Sequence, residues 1–157
     1  MIVDWIQRGK PSAVGLSVGA VCGLAAVTPA SGYASPQASI LIGAVAGIIC
    51  NFVSNWRQSR TKIDDSLDVF ACHGIGGIWG SLATGIFAST FVNAKTINGG
   101  LTLFGSQLIG VSAVVAYCMG ASYLLLKFVQ WLAPLRVSPE EERQGLDLIE
   151  LGEQMGE

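Results

Sequence analysis

Along this chain, long uncharged runs alternate with short clusters of charge. There is no charged residue between Lys10 and Arg57 (46 residues), between Asp68 and Lys95 (26 residues), or between Lys95 and Lys127 (31 residues). A helix that crosses a bilayer needs about 20 apolar residues. The first run is long enough for two crossings and has a breaker at its centre, TPASGYASP over 28–36, with Pro29, Gly32 and Pro36. The pattern therefore predicts four spans: a over about 12–29, b over 37–55, c over 66–91 and d over 101–131. Together they make a membrane domain of residues 1–136, followed by a polar tail of residues 137–157. The fold class expected is all-α, a polytopic membrane helix bundle.

Composition supports this reading. The chain is 51% hydrophobic and 13% charged, whereas soluble domains carry roughly a quarter charged residues. The net charge of −2 says nothing about nucleic acid, but no basic stripe is interleaved with aromatics, so no nucleic-acid partner is expected. The first residues, MIVDWIQRGKP, read as an amphipathic end rather than a cleavable leader. Cys22, Cys50, Cys72 and Cys118 lie in apolar stretches without CxxC spacing and read as small packing residues. No metal site and no cofactor motif is expected.

Charge also predicts orientation. Four crossings put both ends on one side. Arg8, Lys10, Arg57, Arg60, Lys62, Lys127, Arg136 and Arg143 share that side, and only Lys95 falls on the other. Positive residues mark the cytoplasmic face, and Trp5, Trp56 and Trp131 fall at the same interface, where indoles prefer to sit. Small residues four apart let helices approach closely in lipid. Gly15, Gly19 and Gly23 in span a, Gly43 and Gly47 in span b, and Gly76 and Gly80 in span c have this spacing. Span d is Leu-rich toward its cytoplasmic end and reads as lipid-facing. Its uncharged run would reach about 46 Å, so it should tilt or extend beyond the bilayer.

The single histidine, His73, lies in span c within LDVFACHGIGGIWG. Asp64 and Asp65 stand at the helix start, where the dipole favours acids. Asp68 follows, with Lys10 as candidate partner. His73 is five residues further on, about 7–8 Å deeper along a helix. Ionisable groups at that depth usually face a bundle interior or a cavity. Val69 lies one turn before it on the same face, so the wall beside the imidazole is apolar and narrow. One histidine without a carboxylate on its face suits neither a metal nor an ion cage. It suits a small neutral species that makes one hydrogen bond, or a proton relay. An intramembrane enzyme would need a second catalytic group beside it, and the sequence offers none.

The stretches RGKPS, TPASGY, DDSLDVFACHGIGGIWGSLATGIFA and RVSPEEERQGLDLIELGE, in this order, resemble the C-terminal part of ammonium transporters of the Amt/Mep/Rh family. The resemblance covers essentially the whole chain. It implies a subunit of eleven spans in a homotrimer in the cell membrane, with the present four spans as the last four and the C-terminus cytoplasmic. It implies ammonium as substrate, deprotonated and passed as ammonia through a narrow hydrophobic pore. It makes His73 the second of two pore histidines, Val69 a pore-lining aliphatic, and Asp65 and Asp68 the acids at the cytoplasmic start of that helix. The tail becomes a contact for neighbouring subunits and for a PII-type nitrogen regulator. The family's first pore histidine, aromatic gate and recruitment site lie on earlier helices, so this chain is expected to match the last two-fifths of a transporter and not to conduct alone. Leu151 stands where the family often has histidine. The alternative is a membrane-anchored regulatory or assembly module acting through the tail. From Val137 on, the tail has seven acids and one base, and SPEEE predicts a short helix capped by Ser138, with Pro139 in its first turn and Glu141 completing a capping box.

Overall fold

A computed structural model describes residues 2–152, without the side chains of Gln7 and Arg8. The charge assigned to Arg8 and the last five residues of the predicted tail therefore lie outside the described residues. The described residues, 2–152, form helices joined by turns and loops, with no strand among them; one isolated β-bridge joins Ala34 to Ala88. The all-α class is as the sequence predicts. Contacts divide the chain into two compact units, Met1–Ala113 and Val114–Glu157.

The first unit opens with the short helix α1 (Ile2–Arg8). α2 (Ala13–Val27) follows, its first turn capped by Ser12, whose hydroxyl accepts from the Gly15 N–H at 3.1 Å. The predicted breaker ends it. Pro29 lies in a 3₁₀ turn (Thr28–Ala30), and Gly32 takes a φ of 77° that favours glycine. α3 (Pro36–Arg60) restarts with Ser35 as cap and Pro36 in its first turn. It runs past the predicted end of span b, so Arg57 belongs to a helix and not to the following loop.

Span c is shorter than its uncharged run. It comprises six residues of π-helix (Phe70–Ile75) and then α4 (Gly76–Phe87), instead of one helix over 66–91. At its start, Asp68 has a φ of 53°, which cannot continue a right-handed helix. At its end, Ala88 is extended and bridges to Ala34, and the Ser89 N–H bonds to the Tyr33 carbonyl at 2.9 Å. The turn between spans a and b and the exit of span c are thus joined at one end of the unit. α5 (Leu101–Leu132) begins in this unit and continues into the second.

Three helical stretches, Ala13–Ala30, Pro36–Arg60 and Leu101–Leu132, are long and apolar enough to cross a membrane. The core between α2, α3 and α4 is made of small side chains. Ala26, Ala30, Ala34, Ile42, Ala46 and Ala83 form one buried cluster, and Cys22, Cys50 and Cys72 form another. The seam follows a four-residue period (22, 26, 30 and 42, 46, 50), the spacing of one helix face. The glycines contribute unevenly. A Cβ on Gly80 would overlap the Ala26 backbone, and one on Gly76 would touch the Cys22 carbonyl and the Cys50 sulphur, each at 3.6 Å. Gly43 faces the Gly23 backbone, and Gly15 sits against Asp4 of α1. A Cβ on Gly19 or Gly47 would meet nothing within 4 Å among the described residues.

In the second unit, α6 (Pro139–Gln144) has the predicted capping box. The Ser138 hydroxyl accepts from the Glu141 N–H at 3.3 Å, and the Glu141 carboxylate accepts from the Ser138 N–H at 2.7 Å. A single π-helical turn, Asp147–Leu151, follows.

Candidate functional site

The π-turn Phe70–Ile75 carries His73. Its pattern is visible at its end, where the Gly76 N–H reaches back five residues to the Ala71 carbonyl. Such turns are rare and favour functional sites, because the extra residue per turn rotates neighbouring side chains away from α-helical positions. Here the turn has two faces. Ala71 and Cys72 are buried against α2 and α3, while Val69, Phe70 and His73 are exposed. No hydrogen-bond partner reaches the imidazole among the described residues. It stands on an apolar surface with one donor and one acceptor position open.

Two aspartates hold the start of this turn. Asp65 accepts from the Val69 N–H at 2.8 Å and the Phe70 N–H at 2.9 Å, satisfying donors that a helix start leaves open. Asp68 acts through both backbone and side chain. Its left-handed conformation, at a cost of order 1–3 kcal/mol for a residue other than glycine, turns the chain into the helix. Its carbonyl accepts from the Cys72 N–H at 2.9 Å. Its carboxylate, buried, accepts from Ser54 Oγ at 2.7 Å, Arg57 Nη2 at 3.0 Å and Gln58 Nε2 at 3.3 Å. Arg57 also donates from Nη1 to the Ile63 carbonyl at 2.8 Å, and its Nε faces Asp65 Oδ2 at 3.9 Å.

The predicted partner of Asp68 is thereby corrected. The base at Asp68 is Arg57, not Lys10, because α3 extends far enough to bring its last two turns beside the aspartate; Lys10 is exposed. Sequence reasoning missed Ser54, Arg57 and Gln58. Their signal was the spacing i, i+3, i+4 in NFVSNWRQSR, which places three polar residues on one face of the end of span b. A second, half-buried polar contact lies nearer the middle of α3, where Asn51 Nδ2 donates to Asp4 Oδ1 at 3.0 Å. The cysteines behave as packing groups at three positions. Cys22 and Cys72 approach at 3.2 Å between sulphurs, Cys50 lies in the same cluster, and Cys118 is exposed. The described residues hold no cluster of side chains arranged for a metal.

The chain as a whole is similar to known proteins. The Ammonium Transporter Family model matches residues 1–155, and the chain belongs to that family. Among curated relatives, the ammonium transporter Amt1 of Archaeoglobus fulgidus is 47% identical over 150 residues, covering 94% of this chain and 38% of the relative. The ammonium transporter of Bacillus subtilis is 39% identical over 157 residues, covering 98% and 39% respectively. The chain thus spans about two-fifths of the length of these relatives. Among solved structures, a Sensor Amt Protein superposes with a TM-score of 0.85 at 30% identity over 95% of this chain and 37% of that one. Mep2 of Saccharomyces cerevisiae does so with a TM-score of 0.79 at 35% identity over 89% and 34%.

Proposed function

We propose that this chain forms part of the conducting pathway of an ammonium transporter, with His73 and Val69 on the wall that substrate passes. The observation that carries this is the exposed imidazole of His73 on an apolar π-turn, in a chain whose family relatives are named ammonium transporters. A neutral imidazole beside Val69 and Phe70 can give and accept one hydrogen bond and offers no charge to hold an ion in place. That chemistry fits a small molecule moving as ammonia, with the proton relayed separately. Asp65 and Asp68 then serve as the acids that fix the helix start. In this reading residues 1–136 are the membrane domain, 137–157 the cytoplasmic tail, both ends face the cytoplasm of the cell membrane, and subunits assemble as a homotrimer. The asymmetry of Lys and Arg supports the orientation. The test is uptake of labelled ammonium by the gene's full product in a host without ammonium uptake of its own. His73→Leu should cut uptake at least tenfold at equal protein in the membrane; unchanged flux and selectivity would sink the proposal.

A second reading concerns the tail. α6 is preorganised by its capping box and displays Glu140 and Glu142 on an exposed surface, which supports a docking element for a PII-type regulator. Deleting residues 137–157 should abolish capture of such a regulator while transport continues. Capture that survives the deletion would place the contact elsewhere.

A further inference from the structure

We propose that Arg57 and Asp68 are positioning residues, whose buried ion pair between the end of α3 and the start of the π-turn fixes the rotation at which His73 is presented. The inference rests on the reading of His73 as a pathway residue and assigns the residues that hold it there.

Asp68 is joined to the turn through its own carbonyl, which accepts from the Cys72 N–H, immediately before His73. The same residue is tied to α3 by three side-chain donors: Ser54, Arg57 and Gln58. A left-handed aspartate persists only where its surroundings over-determine it, and here those surroundings are three donors on one oxygen pair. Arg57 is itself fixed from a second side by the Ile63 carbonyl, so the guanidinium spans loop, helix and turn as a rigid fork.

A π-turn needs such a hold. An α-helical alternative over the same residues would rotate each side chain after the start by roughly the angle that one inserted residue introduces. His73 would then leave its face and Cys72 its buried place beside Cys22. Removing one member of a buried pair leaves the other charged and unsatisfied, so Asp68→Asn or Arg57→Gln should release the turn. Arg57→Lys keeps the charge, loses the fork, and should fall between.

The test uses the gene's full product in membranes and two readouts. One is the alkylation rate of Cys72 by a small permeant maleimide, followed by mass spectrometry of the peptide. The other is the split of uptake into Vmax and KM. Asp68→Asn and Arg57→Gln should speed Cys72 alkylation at least tenfold and lower Vmax at least fivefold, with KM within twofold; Arg57→Lys should recover half of the lost Vmax. Ser54→Ala removes one donor and leaves the ion pair, so it gives a milder variant, with a two- to threefold effect on both readouts, should the others not reach the membrane. Alkylation and Vmax both within twofold of the parent would overturn the inference, and so would a faster Cys72 with undiminished Vmax. The underlying reading fails separately, through normal uptake in His73→Leu.

Discussion

A methyl group on Gly80 would have to occupy space held by the Ala26 backbone, and backbone cannot swing aside as a side chain can. Gly80→Ala should therefore push α4 away from α2 and destabilise the first unit by about 1–3 kcal/mol, the usual cost of overpacking a close contact. Gly19→Ala is the comparison. Its Cβ would meet nothing inside this chain, and alanine is the better helix former by roughly 0.5–1 kcal/mol. Thermal unfolding in detergent should show a lower midpoint for Gly80→Ala and an equal or higher one for Gly19→Ala; the reverse order would mean that the α2–α4 crossing is misplaced. Both glycines belong to the same GxxxG-like spacing in the sequence. Spacing finds the helix faces rich in small residues. Which member of a face touches a neighbour depends on the crossing point, which is a property of two helices and not of one.

At the scale of elements, the same limit separates what could be read from what could not. The end of α2 and the start of α3 were legible because their signal is local: the breaker with Pro29, Gly32 and Pro36 between them. The ends of span c were not. A charge-free run says where a helix is affordable in lipid, but the start at Phe70 is set by the left-handed Asp68, held from α3 by Ser54, Arg57 and Gln58, and the stop at Phe87 by a bridge to Ala34, so both depend on long-range contacts. His73 stood out by its chemistry, whereas its support on α3 was hidden in a segment that read as a basic loop. The tail helix α6 is the most local element of all, and its stability should follow its cap. The Ser138 N–H and hydroxyl bonded to Glu141 hold that carboxyl below the ordinary glutamate range. A carboxyl with a depressed folded-state value stabilises above its unfolded value, and that contribution is lost as pH falls through the depressed one. Helix content over 139–144 should thus be full at pH 7 and decline in acid, below about pH 4.3, where free glutamate titrates. Ser138→Ala should weaken the helix by about 1 kcal/mol at neutral pH and flatten that acid response. Amide-exchange protection across the tail reads both, and an acid profile unchanged by Ser138→Ala would count against the box.

At the scale of the whole molecule, exposure is the deciding quantity. α5 has no buried residue along its length, and the face of the π-turn that bears Val69, Phe70 and His73 is open. An apolar surface of this extent is satisfied by lipid or by further protein, but the imidazole on it is not, because lipid offers no hydrogen-bond partner. A histidine wall that is open on one side does not enclose a path: a pore needs a surface facing His73 to exclude lipid and keep the passage narrow. From this it follows that the 157-residue chain by itself, purified and reconstituted into liposomes, should give no ammonium conductance above protein-free vesicles. The same residues should support flux when a protein surface of matching shape covers the π-turn, as in an assembled transporter. Stopped-flow measurement of internal pH after an ammonium pulse discriminates the two, since entry of ammonia raises the pH inside. A conductance from the 157 residues alone that vanishes in His73→Leu would show that copies of this chain close the pathway among themselves, and the surface opposite His73 would then have to be sought on a second copy.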